Sequence, residues 1–232
     1  MASKRTELPH VVQKFDWDCG IACIQMILLQ LGQIFDASAL FGALPILGVT
    51  ESVWTIDLAN ILRHFKIDCV FYTVTCGVDP GYQDETYYKD DFKAEQTRVN
   101  TLFEKATEMG IKIVKRSITM ADILTKLDEG NVAIVLVDSN ILTCNSCAKK
   151  YEQCQENNAI YLPTFPFSNN DRTKDYQGHY IVLCGYDTEA GVIFCKNPSL
   201  EDVECCVNIP SFDAARKSYG TDEDIIFINM SK

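Results

Sequence analysis

The stretch Gln13-Lys14-Phe15-Asp16-Trp17-Asp18-Cys19-Gly20-Ile21-Ala22-Cys23, continuing as IQMILLQLG to Gly32, leaves a polar turn and enters an apolar helix. Asp18 is placed to cap that helix and Gly32 to end it, over about Cys19 to Leu31. A cysteine at a helix start lies where backbone N–H groups and the helix dipole favour negative charge. Its thiol is therefore expected to ionise more readily than a free one. Gln13, six residues upstream across a turn, can aim its side-chain amide at an oxyanion forming beside the sulfur. A thiol and an amide so arranged are half of an acyl-transfer site. A base and a group to orient it would complete the set.

The chain has three histidines, so the search for the base is short. His10 lies in the N-terminal segment beside Pro9, and His64 ends a predicted helix. His179 opens GHYIVLCGYD, a run with strand composition, and a strand holds an imidazole rigidly. The next run, GVIFCKNP, ends in Asn197-Pro198. An antiparallel hairpin turning at Asp187–Gly191 brings Asn197 to His179, where it can fix the ring's tautomer and orientation. The residues thus suggest Cys19 as nucleophile, His179 as base, Asn197 as its orienting partner and Gln13 with the Cys19 N–H as oxyanion donors. Cys23 lies one turn further along the helix and reads as core, because the dipole effect has faded there. The charges of Asp16 and Asp18 act against ionisation of Cys19.

Around this site the order of elements is α+β. Helices are expected at 52–65, with Ser52 as a cap, at about 91–109, and from near Thr119 in TMADILTKLDEG. Strands are expected at 67–74, in IKIVKR and in VAIVLVD, and then as a closing run of HYIVLCGYD, GVIFCKN, VECCVNI and DIIFINM. A short helix, PSFDAARKSY, precedes the last strand. An N-terminal helical half packed on a C-terminal antiparallel β-sheet, in one domain of 232 residues, suits a papain-like fold with a cleft between the halves. Residues 139–177 carry no clean period and read as an irregular insertion.

Composition narrows the partners. The net charge of −11 argues against nucleic acid and against anionic membrane surfaces, and leaves a peptide or protein substrate open. No run approaches the roughly 18 apolar residues of a membrane helix, and MASKRTELPH does not read as a secretory signal. Eleven cysteines without such a signal suggest reduced thiols in the cytoplasm or nucleus. Cys144-x-x-Cys147 with Cys154 resembles half of a structural zinc site. A fourth ligand would come from Cys76, Cys184, Cys195, Cys205 or Cys206, and the sequence does not choose. The competing reading is a loop with incidental thiols.

Four motifs carry a resemblance that runs from about residue 8 to 229. They are Trp17-Asp18-Cys19-Gly20-Ile21-Ala22-Cys23, Ser52-Val53-Trp54-Thr55-Ile56-Asp57-Leu58-Ala59, Tyr176-Gln177-Gly178-His179-Tyr180-Ile181-Val182-Leu183 and Ser218-Tyr219-Gly220-Thr221-Asp222-Glu223-Asp224-Ile225. Together they resemble the guanylyl cyclase domain-containing family of plants and animals. More distantly, DCGIAC and GHYIVLCGYD are similar to the bacteriocin-processing double-glycine peptidases. That likeness implies Gln13, Cys19 and His179 in the roles given above, with Asn197 where those enzymes usually carry Asp. The cyclase name implies GTP with magnesium or manganese. The residues point elsewhere: there is no G-x-x-x-x-G-K-[ST] loop and no basic cluster, and Asp90-Asp91 and Asp222-Glu223-Asp224 read as solvated loop charge. A third possibility is an inactive adaptor on the same fold.

Overall fold

The computed structural model describes residues 3–34, 36–78, 92–144, 176–201 and 204–230. Among the described residues eight strands form one sheet: β1 (Ser3–Arg5), β2 (Cys69–Thr73), β3 (Lys112–Lys115), β4 (Asn131–Asp138), β5 (Gly178–Asp187), β6 (Val192–Lys196), β7 (Glu204–Asn208) and β8 (Ile225–Asn229). Their order is β3-β2-β8-β4-β5-β6-β7, with β1 beside β5. The described helices are α1 (Cys19–Gln30), α2 (Ser38–Ile46), α3 (Thr55–His64), α4 (Phe92–Lys105), α5 (Met120–Asp128) and α6 (Ile209–Arg216).

The α+β class holds, and the layering differs from a helical half on a C-terminal antiparallel sheet. β2 and β3 come from the N-terminal half and pair in parallel. A parallel pair needs a crossover, which α4 supplies. The sheet is covered on both faces. Ile24, Leu28, Leu58, Ile61 and Val99 of α1, α3 and α4 pack on Phe71, Ile134, Tyr180, Val182 and Ile226. Ile123, Leu127, Phe212 and Ala215 of α5 and α6 pack on the alternate residues Val135, Val137, Ile181, Leu183 and Phe227. Alternation along β4, β5 and β8 divides their side chains between two cores. Each fully buried Leu, Ile or Phe in them contributes about 1.5–3 kcal/mol.

Local chemistry sets the helix ends. Gly32 adopts φ +64° after α1, and Gln33 N donates back to Leu28 O at 2.9 Å, closing the helix as expected. Asp18 makes no side-chain cap to α1. Its carboxylate turns backward and accepts from Lys14 N at 3.1 Å and Phe15 N at 2.9 Å, so it organises the turn before the helix. Ser52 is not the cap of α3 either. Trp54 holds that position, its N–H donating to Asp57 Oδ2 at 2.9 Å, while Ser52 Oγ accepts from the Trp54 indole. Thr119 caps α5 in a reciprocal box with Asp122.

The insertion leaves the sheet between neighbouring strands. Its two ends are joined where Ser139 N donates to Gln177 O at 2.9 Å. No described helix is long and apolar enough to cross a membrane.

Candidate active site

β5 and β6 form the expected hairpin, with a register shift between Leu183 and Gly185 and a last pair at Val182↔Lys196. One step beyond that pair, Asn197 falls opposite Ile181, on the same sheet face as His179 and two residues from it. Such diagonal neighbours lie within reach of one another. His179 Nε2 and Asn197 Oδ1 stand 2.8 Å apart. An amide oxygen only accepts, so Nε2 carries the proton and the basic lone pair belongs to Nδ1. Asn197 is itself held, since Ser199 N donates to the same Oδ1 at 3.0 Å. Both side chains are buried. Burial lowers the His179 pKa to about 4, and the hydrogen bond with Asn197 only partly offsets this. The imidazole is therefore neutral, and able to act as a base, across the physiological range.

Gln13 joins the same cluster from the other end of the chain. Its backbone N–H donates to Pro198 O at 2.8 Å. His10 Nε2 meets Leu200 O at 2.6 Å, so two contacts lay the N-terminal segment along residues 198–200. The Gln13 carboxamide accepts from Ser199 Oγ at 2.8 Å and donates Nε2–H to Phe15 O at 2.7 Å. Ser199 escaped the sequence reading. The signal for it was present, because Asn-Pro-Ser is an Asx-turn sequence in which the Asn oxygen takes the N–H two residues on.

Cys19 is the first residue of α1 and is buried. Its relation to β5 follows from the ladder. Leu136 donates its N–H to Asp224 O at 3.1 Å, toward β8. Leu136 is also the antiparallel partner of Tyr180. That pair exchanges no hydrogen bonds, so the Tyr180 N–H turns to the opposite edge of β5, where β6 pairing begins only at Val182. The start of α1 fills this gap. A Cβ added at Gly20 would lie 3.0 Å from Tyr180 Cδ2 and from Leu58 Cδ2, close enough that those side chains would have to shift. Gly20→Val should therefore cost about 1–3 kcal/mol by overpacking and slow alkylation of Cys19, read by urea midpoint and by labelling rate. A variant with unchanged midpoint and rate would show that this contact does not fix the helix start.

The expected easy ionisation of Cys19 is not what the structure gives. Burial pushes the thiol above its ordinary value, the backbone amides of Tyr180 and Gly20 act against the rise, and the Asp18 charge adds to it. Cys19 therefore rests as a neutral thiol and His179 as a neutral imidazole. Cys23 is fully buried core, as expected, with its thiol raised further by burial.

Behind Tyr180 lies a polar cluster that the sequence had assigned to solvent. Asp224 is buried, and burial raises its carboxyl well above the usual range. Thr55 and Thr73 act against that rise, and Thr55 Oγ1 meets Tyr180 Oη at 2.9 Å. Asp222 and Glu223 carry φ of 48° and 52°, a costly backbone for such residues, which turns Asp224 inward. The unfolded chain loses the Asp224 proton near its ordinary pKa while the folded chain keeps it. Stability from this group therefore falls as pH rises above about 4. Asp224→Asn should raise stability at pH 7.5 and change it less at pH 4. Denaturant midpoints at the two pH values check this, and an equal shift at both would contradict it.

The metal expectations fare differently. Cys144 is buried and bridges to Val207 on β7, while Cys147 and Cys154 lie outside the described residues. Among the described residues no group of three or more His, Cys, Asp or Glu side chains is gathered to hold an ion. No chemical step is drawn through a metal ion.

A hydrogen-bonded His–Asn pair, a helix-start cysteine and a side-chain amide, set on an α+β sheet, define a candidate thiol site. By sequence, the chain belongs to the family described as guanylylate cyclase, which matches residues 8–228. It is 35% identical to Guanylyl cyclase 1 of Arabidopsis thaliana over 230 residues, covering 99% of this chain and 78% of that protein.

Proposed function

We propose that the chain is a cysteine hydrolase of papain-like type, acting on a peptide or other acyl substrate. The carrying observation is the 2.8 Å contact between His179 Nε2 and Asn197 Oδ1, which aims a neutral basic nitrogen from a strand start. In the first step the Cys19 sulfur bonds to the acyl carbon as its proton passes to His179 Nδ1. The carbonyl π electrons move to oxygen, and the Cys19 N–H and a Gln13 Nε2–H stabilise that oxyanion. The C–X bond then breaks and His179 gives its proton to X. Water, deprotonated by His179, cleaves the thioester and restores the thiol. Because thiol and imidazole rest neutral, this scheme makes the thiolate only as it reacts. The buried His–Asn pair supports base catalysis over a standing thiolate–imidazolium pair.

The second reading is GTP cyclisation, which rests on family membership and on the name of the Arabidopsis relative. One experiment separates the two. The hydrolase reading expects iodoacetamide at pH 7.5 to label Cys19 before the exposed Cys76, and His179→Ala to abolish that preference. The cyclase reading expects manganese-dependent formation of cyclic GMP that survives Cys19→Ala. Labelling of Cys76 first, with cyclic GMP formed by Cys19→Ala, would reject the hydrolase.

A further inference from the structure

We propose that Ser199 is a positioning residue that anchors the Gln13 carboxamide by its oxygen and so holds the Nε2–H end for the reacting carbonyl. This deepens the hydrolase reading and rests on it. A carboxamide has an accepting and a donating end, and only the donating end stabilises an oxyanion. With either end in place the side chain has almost the same shape, so packing alone does not choose. Here Phe15 O chooses, and Ser199 anchors the other end. Phe15 O, 2.7 Å from Nε2, is an acceptor and tolerates only the NH2 group. Ser199 Oγ, 2.8 Å from Oε1, gives its single proton to the oxygen. Phe15 O occupies one Nε2 hydrogen, and the second is the one the oxyanion would use.

Ser199 also ties this amide to the base. Its N–H holds the Asn197 oxygen at 3.0 Å, and its Oγ stands 3.4 Å from His179 Nε2. Gln13 and His179 are 166 positions apart in the chain, yet one serine contacts the first and the partner of the second. The backbone bond to Asn197 survives substitution of the side chain, whereas the bond to Gln13 does not. The hydroxyl can therefore be deleted while the His–Asn pair stays in place.

The test contrasts two reactions of the same thiol in the full chain. Iodoacetamide alkylates sulfur by displacement and forms no oxyanion. p-Nitrophenyl acetate acylates it through a tetrahedral oxyanion, releasing p-nitrophenolate. Ser199→Ala is expected to slow acetylation of Cys19 by about ten- to a hundredfold, as loss of oxyanion support does, and to leave alkylation within about twofold. Ser199→Thr should restore most of the acetylation rate. In a Gln13→Ala background, Ser199→Ala should add almost nothing, because its effect passes through that amide. Equal slowing of both reactions, or full additivity with Gln13→Ala, would overturn the assignment. A wild-type chain acetylated on Cys19 alongside an unaffected Ser199→Ala rejects Ser199 alone. A wild-type Cys19 that is never acetylated rejects the hydrolase reading and this inference with it.

Discussion

His179→Ala is expected to slow acylation of Cys19 by about 10²–10⁴-fold near pH 7, the range for loss of a positioned general base. The expectation is large because the Cys19 thiol is raised by burial, so little thiolate exists without help. The pH profile adds a sharper signature. His179 is lowered to about 4, so the acid limb of the wild-type rate should fall near pH 4, well below the ordinary imidazole value of about 6.5. Asn197→Ala frees the ring to rotate and is expected to cost about ten- to a hundredfold, as loss of an orienting partner does. The same depressed pKa has a stability consequence. Between pH 6.5 and 4 the unfolded chain binds a proton that the folded chain refuses, so stability falls as pH falls through that window. A profile with its acid limb at 6.5 would place the imidazole in water and contradict the buried base.

Arg98→Met is expected to destabilise the chain by about 3–5 kcal/mol, the cost of stranding a buried carboxylate. Asp57 is fully buried at the start of α3, and the Arg98 guanidinium grips both its oxygens, at 2.5 and 3.0 Å. Burial pushes the Asp57 carboxyl up, and Arg98 works against that rise. Glu95 braces the guanidinium at 2.8 Å and Ser52 O accepts from it at 3.2 Å. The pair thus joins α4 to the turn before α3, and Asp57 in turn accepts the Trp54 N–H. Removing Arg98 loosens the same helix start that carries Thr55, the hydrogen-bond partner of Tyr180. Reduced Cys19 labelling should therefore accompany the fall in urea midpoint. Asp57→Asn combined with Arg98→Met should recover part of the loss, because no charge is then left unpaired. A single variant within about 0.5 kcal/mol of wild type would show the pair to be dispensable.

The candidate site was legible where it rests on local signals. α1 shows as an apolar run closed by Gly32, and the hairpin that joins His179 to Asn197 follows from two strand-like runs and a turn. What escaped the sequence depends on distant pairing or on burial. α2 was missed because SALFGALPI has no side-chain cap and contains Gly42 and Pro45, which blur its period. The parallel β2–β3 pair spans α4 and leaves no local trace. Asp18 has a cap's identity and position, yet two backbone N–H groups of the preceding turn claim its carboxylate. Asp224 stands in an acidic run that suggests solvent, and only the positive φ at Asp222 and Glu223 turns it inward. Ionisation of Cys19 was misjudged for the same reason. A helix start favours the thiolate, and burial, invisible along the chain, outweighs it.

The most direct test is to quench the reaction with p-nitrophenyl acetate within its first turnover and locate the acetyl group by fragmentation mass spectrometry. A single acetyl on Cys19, absent from Cys19→Ser and strongly reduced in His179→Ala, is the predicted result. Acetyl groups spread over surface lysines and Cys76, with Cys19 unmodified, would contradict a thiol hydrolase built on these residues.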